Sequence, residues 1–189
     1  MKSYSQAGQD LFAYRVLGEL KKGLFLDVGA NHPIDRNNTY GLEQIGWTGL
    51  CVDNDVYCSS LSFLRKCSWL RADATKPDVW LVFDSGVEYL SLDCDMATFG
   101  VLAAMPLSTF RFRVATIEHD AYRFGGGPRS QIRTLMKYHG YDLLCADVSD
   151  KGEPFEDWWV DPKTVDMAIA ERYRCEGLDW KEVLRKGQA

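Results

Sequence analysis

The chain has 189 residues, with 22 Lys and Arg against 27 Asp and Glu for a formal net charge of −5, and its residues are 46% hydrophobic and 13% aromatic. That length suits one domain over residues 1–189, large enough to bury a core without disulfide or metal staples. The apolar share excludes disorder, the mild acidity argues against a protein that grips nucleic acid by bulk charge, and the longest apolar runs, such as Val79-Trp80-Leu81-Val82-Phe83, are far too short to span a membrane.

The opening Met1-Lys2-Ser3-Tyr4-Ser5-Gln6 leads into polar sequence rather than the apolar stretch of a secretory signal. Cysteines stand at 51, 58, 67, 94, 145 and 175, and none forms a Cys-x-x-Cys pair, which removes the zinc and thioredoxin-like readings. They read as reduced thiols of a cytoplasmic protein.

Along the chain, helical and strand patterns alternate. Over residues 5–20, Ala7, Leu11, Phe12, Val16 and Leu20 form an apolar stripe, with Ser5 as N-cap and Lys21-Lys22-Gly23 as the stop. Leu24–Val28 is a buried strand ended by Gly29. Residues 39–45 read as a helix, 49–53 as a second strand, 56–64 as a helix and Trp69-Leu70 as a short third strand. Residues 79–83 are placed as a helix because they lie between strands. Residues 88–92 form the next strand, 98–105 a helix stopped by Pro106, and 110–117 an alternating strand. A helix follows over 128–139, then strands over 141–148 and 155–160. An amphipathic helix begins near Pro162, with Val165, Ile169 and Tyr173 on one face, and a short one lies near 180–184. This order predicts an α/β, doubly wound, mostly parallel sheet with helices on both faces. Ligands of such sheets sit at the carboxyl ends of the strands.

At those ends stand acids. Asp27-Val28-Gly29-Ala30-Asn31 follows the first strand but lacks the second and third glycines of a dinucleotide fingerprint, and Asp27 would repel a phosphate. A carboxylate there suits a cationic amine, and Gly29 lets backbone approach a ligand closely. Asp53 ends the second strand, where an acid accepts from ribose hydroxyls. Asp73 follows the third and suits the exocyclic amine of adenine. Amine, ribose and adenine together describe S-adenosylmethionine.

Ser5-Gln6-Ala7-Gly8-Gln9-Asp10 followed by residues 23–31 resembles the opening of FkbM-type methyltransferases. The block Asn38-Thr39-Tyr40, Leu42-Glu43 and Gly46-Trp47-Thr48-Gly49 is the most specific part of the likeness. Ser91-Leu92-Asp93-Cys94-Asp95, Ile117-Glu118-His119-Asp120 and Phe155-Glu156-Asp157-Trp158-Trp159 also match family segments. The resemblance implies a seven-stranded class I methyltransferase core that methylates an oxygen of a small molecule or glycan. It implies cofactor contacts from Gln6, Asp27, Gly29, Ala30, Asn31, Thr39, Asp53, Asn54, Asp73 and Asp93. The chain departs from the family at Asp53-Asn54, where members carry Glu-Pro, and at Asp95-Met96, where they carry Glu-Gly.

An alcohol acceptor needs a base for its proton. His119, Asp95 and Glu118 are the candidates at the ends of the fourth and fifth strands, His119 foremost because imidazole titrates closest to neutrality. Clustered carboxylates also suit a divalent ion, but too few fixed ligands can be placed, and no metal is predicted. His32 reads as a loop residue and His139 as a helix terminus. Trp158-Trp159 reads equally as an acceptor-stacking pair or as one core and one solvent-facing ring. Arg111, Arg113, Arg123, Arg129 and Arg133 read as a solvated basic face. A domain this short leaves no room for a separate substrate domain, so a second subunit in a homodimer is one way to shield the acceptor. The competing readings are a cofactor-binding protein without catalysis and a dinucleotide oxidoreductase.

Overall fold

The computed structural model describes residues 1–82 and 86–188. Its strands are β1 (Leu24–Val28), β2 (Thr48–Asp53), β3 (Ser68–Arg71), β4 (Val87–Leu92), β5 (Phe112–Glu118), β6 (Asp142–Asp150), β7 (Glu153–Val160) and β8 (Cys175–Glu176). They form one sheet in the order β3-β2-β1-β4-β5-β7-β6-β8. The first five are parallel, β7 runs antiparallel between β5 and β6, and β8 adds parallel to β6. The sheet is therefore eight-stranded and mixed, where a seven-stranded, mostly parallel one was expected. The additional strand is the two-residue β8. The chain winds outward from β1 to β3 and then crosses back to β4, so the carboxyl ends of β1 and β4 flank the switch point in strand order.

Both faces of the sheet are covered. Phe12, Phe25, Trp47, Tyr89 and Trp158 belong to the core on one face, and Leu26, Leu90, Phe112, Ile117 and Trp159 to the core on the other. The period-two alternation of β7 sends Trp158 and Trp159 to opposite faces, as expected. Because each face carries its own layer of helices, both rings are fully buried. Neither faces solvent or an acceptor.

The helices are α1 (Gln9–Val16), α2 (Tyr40–Gln44), α3 (Val56–Ser60), α4 (Thr98–Ala104), α5 (Ala121–Phe124), α6 (Gly126–Tyr138), α7 (Met167–Ala170) and α8 (Trp180–Lys186). The first is shorter than predicted. Gly8, at φ 71°, is its N-cap, while Ser5 forms a bridge to Arg36 and does not cap. At its other end Gly18 and Glu19 both take positive φ, which turns the chain before Leu20. Residues 56–64 divide into α3 and a 3-10 turn at Ser62–Leu64. The helix expected over 79–83 is a 3-10 turn over Pro77–Val82, with Phe83 outside the described residues.

The long helix from Pro162 does not form. Asp161 Oδ1 accepts from the Lys163 N–H, and Asp166 caps α7 by accepting from the Ala168 N–H. Two Asp-led turns thus compete with a continuous helix.

Candidate functional site

The site is built where β1 and β4 end. Gly29 has φ +76°, and a Cβ on it would lie 1.7 Å from the Asp93 carbonyl oxygen. Only glycine lets the two strand ends approach this closely. The chain then turns through Asn31, at φ 50°, whose N–H donates to Asp53 Oδ2 at 2.7 Å. Asp53 Oδ1 accepts from the Asp55 N–H at 2.8 Å, so both carboxylate oxygens of Asp53 are fixed by backbone donors.

The loop after Gly29 is held from behind. Asn37 Nδ2 donates to Ala30 O at 2.9 Å, Asn38 Nδ2 to Ser91 Oγ at 3.0 Å, and Thr39 Oγ1 to Asp27 Oδ2 at 2.8 Å. Arg65, only 7% exposed, donates to Glu43 Oε2 at 3.2 Å, Pro33 O at 3.1 Å, Asn37 Oδ1 at 3.0 Å and Thr39 Oγ1 at 3.1 Å. Trp47 Nε1 donates to Leu20 O at 2.7 Å, and the ring packs on Gly23, where a Cβ would meet Trp47 Cε3 at 2.9 Å. Gly49 faces the Phe25 carbonyl oxygen, which would lie 2.1 Å from a Cβ. The Asn-Thr-Tyr and Gly-Trp-x-Gly blocks thus act as architecture that shapes the loop. Thr39 is fully buried and works through Asp27 rather than on a cavity wall. Arg65 went unnoticed in the sequence, because nothing local distinguishes it from a surface arginine.

Three cavities adjoin along this edge. The first, about 530 Å³, is walled by Asp53, Asn54, Asp73, Cys94 and Asp95, among others. The second, about 250 Å³, is walled by Gln6, Asp27, Ala30, His32, Arg36 and Asn38. Gly29, Asn31 and Asp93 line both. The third, about 200 Å³, contains Glu118, Asp120, Tyr122, Asp150, Lys151 and Glu153, and shares Gln6 and Arg36 with the second. Nine of the ten residues expected to touch a cofactor therefore border the first two cavities, the exception being Thr39.

Burial raises several of these carboxyls. Asp27 is held above the ordinary carboxylate range by burial, partly offset by the Thr39 hydroxyl and the Arg65 charge. Asp93 is raised by burial and by the neighbouring charge of Asp95, against a hydrogen bond from Glu118. Glu118 is pushed up to about 11 by burial, then by its hydrogen bond with Asp93 and the charge of that group. Asp120 is raised by burial despite Arg123. Asp73 behaves differently. Its Oδ1 accepts from the Thr75 hydroxyl and N–H, which lowers it, and it caps a turn while bordering the first cavity.

Other candidates are placed elsewhere. His119 is 2% exposed and is not among the residues lining these cavities. Its Nδ1 accepts from the Ala121 N–H, and Nε2 sits 3.5 Å from both Asp147 Oδ1 and Asp157 Oδ1. The basic stretch is paired rather than solvated. Arg111 meets Asp161, Arg123 meets Asp95 and Asp120, Arg129 meets Asp147, and Arg133 grips both oxygens of Asp157. Arg113 donates to Thr164 O. His32 is a loop residue as expected, its Nδ1 accepting from the Ile34 and Asp35 N–H groups. Asp10 ties down the segment before α1 by accepting from the Ser3 and Ser5 hydroxyls and the Tyr4 N–H.

The residues present fit a nucleoside joined to an amino acid. The close approach that Gly29 permits to the Asp93 backbone places both residues on the shared wall of the two larger cavities. Asn38 lines the second cavity along with Asp27, and its buried Oδ1 meets no donor among the described residues.

No protein-family model and no curated protein matches the sequence. Solved structures do match. Magnesium protoporphyrin IX methyltransferase from Synechocystis PCC 6803, solved with bound SAM, superposes with a TM-score of 0.59 at 12% identity over 82% of this chain and 76% of that one. A TehB-like SAM-dependent methyltransferase from Corynebacterium glutamicum gives 0.55 at 13% identity, over 82% and 88%. The fibrillarin pre-rRNA processing protein of Methanococcus jannaschii gives 0.53 at 11% identity, over 74% and 66%. The chain has the Rossmann-like fold of the class I S-adenosylmethionine-dependent methyltransferases.

Proposed function

We propose that the chain is an S-adenosylmethionine-dependent methyltransferase that methylates a hydroxyl oxygen of a small molecule or sugar. The observation that carries this reading is the line of acids at the ends of β1, β2 and β3. Asp27, Asp53 and Asp73 border two adjoining cavities joined at Gly29, in the order amine, ribose, adenine. The FkbM-type motifs support the same reading.

When bound, the cofactor supplies an electrophilic methyl group on a sulfonium centre. The chain's own residues do the rest. Asp53, with both oxygens already oriented by backbone donors, accepts from the ribose hydroxyls through its remaining lone pairs. Asp27 and Asn38 Oδ1 receive the ammonium group. The third cavity holds the acceptor, and alignment of its hydroxyl with the methyl group is the largest contribution the fold makes, on the order of several kcal/mol. We assign proton acceptance to Asp120. Glu118, held up at about 11, keeps its proton near neutrality. The acids Glu118, Asp120, Asp150 and Glu153 around this cavity, against Arg36 and Lys151, suit a neutral polyhydroxyl acceptor better than a polyanion such as RNA.

The position of His119 favours the second reading, cofactor binding without catalysis, because the strongest sequence candidate for a base is turned away from the cavities. Calorimetry with S-adenosylhomocysteine, followed by transfer of labelled methyl to pools of sugars, small alcohols and RNA, separates the two. Asp53→Ala removes charge-assisted bonds that contribute roughly 1.5–3 kcal/mol, which weakens S-adenosylhomocysteine by about tenfold to a hundredfold. Unchanged affinity would sink the ribose assignment.

A further inference from the structure

Two thiols meet between β2 and β3. Cys51 lies in β2, and Cys67 immediately precedes β3. Leu50 faces Ser68 and Cys51 faces Trp69 in the parallel pairing, so the two cysteines sit diagonally across neighbouring strands. Both pack into the core that holds Phe12 and Trp47. Their sulfurs are 3.6 Å apart. Cys51 is fully buried and Cys67 half-buried. The bond to Cys67, followed by burial, pushes the Cys51 thiol up, so Cys51 keeps its proton and Cys67 receives the bond. Glu43 Oε2 accepts from Arg65 Nε at 3.2 Å and from the Cys67 N–H at 2.8 Å. One carboxylate oxygen thus keeps a buried guanidinium beside Cys67, and a neighbouring cation favours the nucleophilic form of a thiol.

We propose that Cys51 and Cys67 are a peroxide-oxidisable pair, and that their disulfide fastens both ends of the segment that walls the first cavity. Between the two cysteines the chain supplies Val52, Asp53, Asn54, Asp55, Tyr57 and Cys58 to that wall. A half-buried sulfur beside a buried partner admits a small oxidant such as hydrogen peroxide more readily than a bulky disulfide. The Cys67 sulfur attacks one peroxide oxygen, the O–O bond breaks, and water leaves with the Cys67 proton, giving a sulfenic acid. The Cys51 sulfur then attacks the Cys67 sulfur, the S–O bond breaks, and the departing hydroxide takes the Cys51 proton as a second water. Two thiols are oxidised and one peroxide is reduced to two waters. The sulfurs must close from 3.6 Å to a bond of about 2.05 Å, a movement that side-chain rotation supplies.

The other thiols are arranged differently. Cys94 is half-buried on the wall of the first cavity, but burial and the charges of Asp93, Asp53 and Asp27 push its thiol up and make it a poor nucleophile. Cys58 is buried and directs its thiol at Asn31 Oδ1, 3.5 Å away. Cys145 and Cys175 are register partners on β6 and β8, but the Cys145 thiol donates to Tyr173 O at 3.3 Å. The oxidation of Cys51 and Cys67 requires no cofactor and stands apart from the methyl-transfer reading.

The full chain, reduced and then freed of reductant, is treated with hydrogen peroxide, and the remaining thiols are alkylated before peptide mapping by mass spectrometry. The expected product is a cross-link between the Cys51 and Cys67 peptides, lighter than the dithiol by two hydrogens and formed at least about tenfold faster than Cys94 is oxidised. Cys51→Ser leaves Cys67 as a sulfenic acid that dimedone captures, and Cys67→Ser leaves Cys51 reduced. Amide hydrogen exchange over residues 54–65 slows in the oxidised chain and recovers with dithiothreitol. No cross-link, a cross-link confined to Cys145 and Cys175, or Cys67 reacting no faster than Cys94 overturns the proposal. A Cys51–Cys67 cross-link that leaves exchange over residues 54–65 unchanged overturns the fastening role. Circular dichroism checks folding, and if Cys51→Ser does not fold, the native chain and Cys67→Ser decide. A parallel titration of the reduced chain with S-adenosylhomocysteine keeps the two claims apart. A cross-link without ligand binding removes the methyl-transfer reading alone, and the reverse removes the dithiol alone.

Discussion

Gly29 and Asp93 meet backbone to backbone, the space for a Cβ on the first being taken up by the carbonyl oxygen of the second at 1.7 Å. The contact joins the ends of β1 and β4 and forms the floor shared by the two larger cavities. Gly29→Ala therefore forces the strand ends apart, in addition to about 1–3 kcal/mol for an unfavourable positive φ. The expected outcome is a lower melting temperature and loss of S-adenosylhomocysteine binding by calorimetry. Retained affinity would show that the cofactor does not lie against this contact.

Arg65 offers a second test. It is buried against Glu43 and shares Thr39 with Asp27. Burial pushes the Glu43 carboxyl up, but the Arg65 charge and the Cys67 and Lys66 N–H groups outweigh it and leave the carboxyl lowered. Arg65→Met strands that charge, a change that typically costs about 3–5 kcal/mol. Chemical denaturation should show a loss of this size, together with weaker cofactor binding as residues 30–39 lose their support.

Glu156 gives the chain a pH dependence of definite sign. It is buried, its Oε2 accepts from Trp158 Nε1 at 2.5 Å, and burial, with the charge of Asp93, pushes it up to about 8 from an ordinary 4.5. The folded state thus holds a proton that the unfolded chain releases earlier. Stability falls as pH rises through the interval from about 4.5 to 8. Glu156→Gln keeps an acceptor for Trp158 and removes the titration. Its denaturation midpoint should vary less with pH across that interval than that of the native chain, and equal slopes would contradict the assignment.

Trp159 and His119 test the division between core and site. Trp159→Ala opens a cavity in the core and should cost about 3–5 kcal/mol in denaturation, without a selective rise in KM for the acceptor. His119→Asn should leave methyl transfer within about tenfold of native while lowering stability. A collapse of turnover in a folded His119→Asn protein would restore the imidazole as the base.

Much of this was readable from the sequence because it was local. The runs before Gly29, Asp53 and Asp93 are apolar and bounded by turn residues, so β1, β2 and β4 fall within a residue or two of their expected limits. The acids after them are visible because strand ends in a doubly wound sheet have a known use. The misread features depend on what lies across the sheet. Alternation in β7 correctly separates Trp158 from Trp159, but cannot say that helices cover both faces. His119 sits beside Glu118 in the sequence, yet the turn at Asp120 and the carboxylates of Asp147 and Asp157, remote in the chain, decide where its ring points. The apolar spacing after Pro162 is helical, yet Asp161 and Asp166 break it with side-chain turns that periodicity does not register.

Gly8 lacks a side chain where Leu184 Cδ1 and Trp180 Cε3 would stand 2.6 and 2.9 Å from a Cβ. The helix α8 is thereby seated on the turn two residues beyond Gln6, and Gln6 borders both the second and the third cavity. The last helix of the chain consequently buttresses ligand-facing wall that the first few residues supply. Shortening or fusing the chain near α8 would act on ligand affinity as well as on folding, even though nothing in that helix touches a cavity at the switch point.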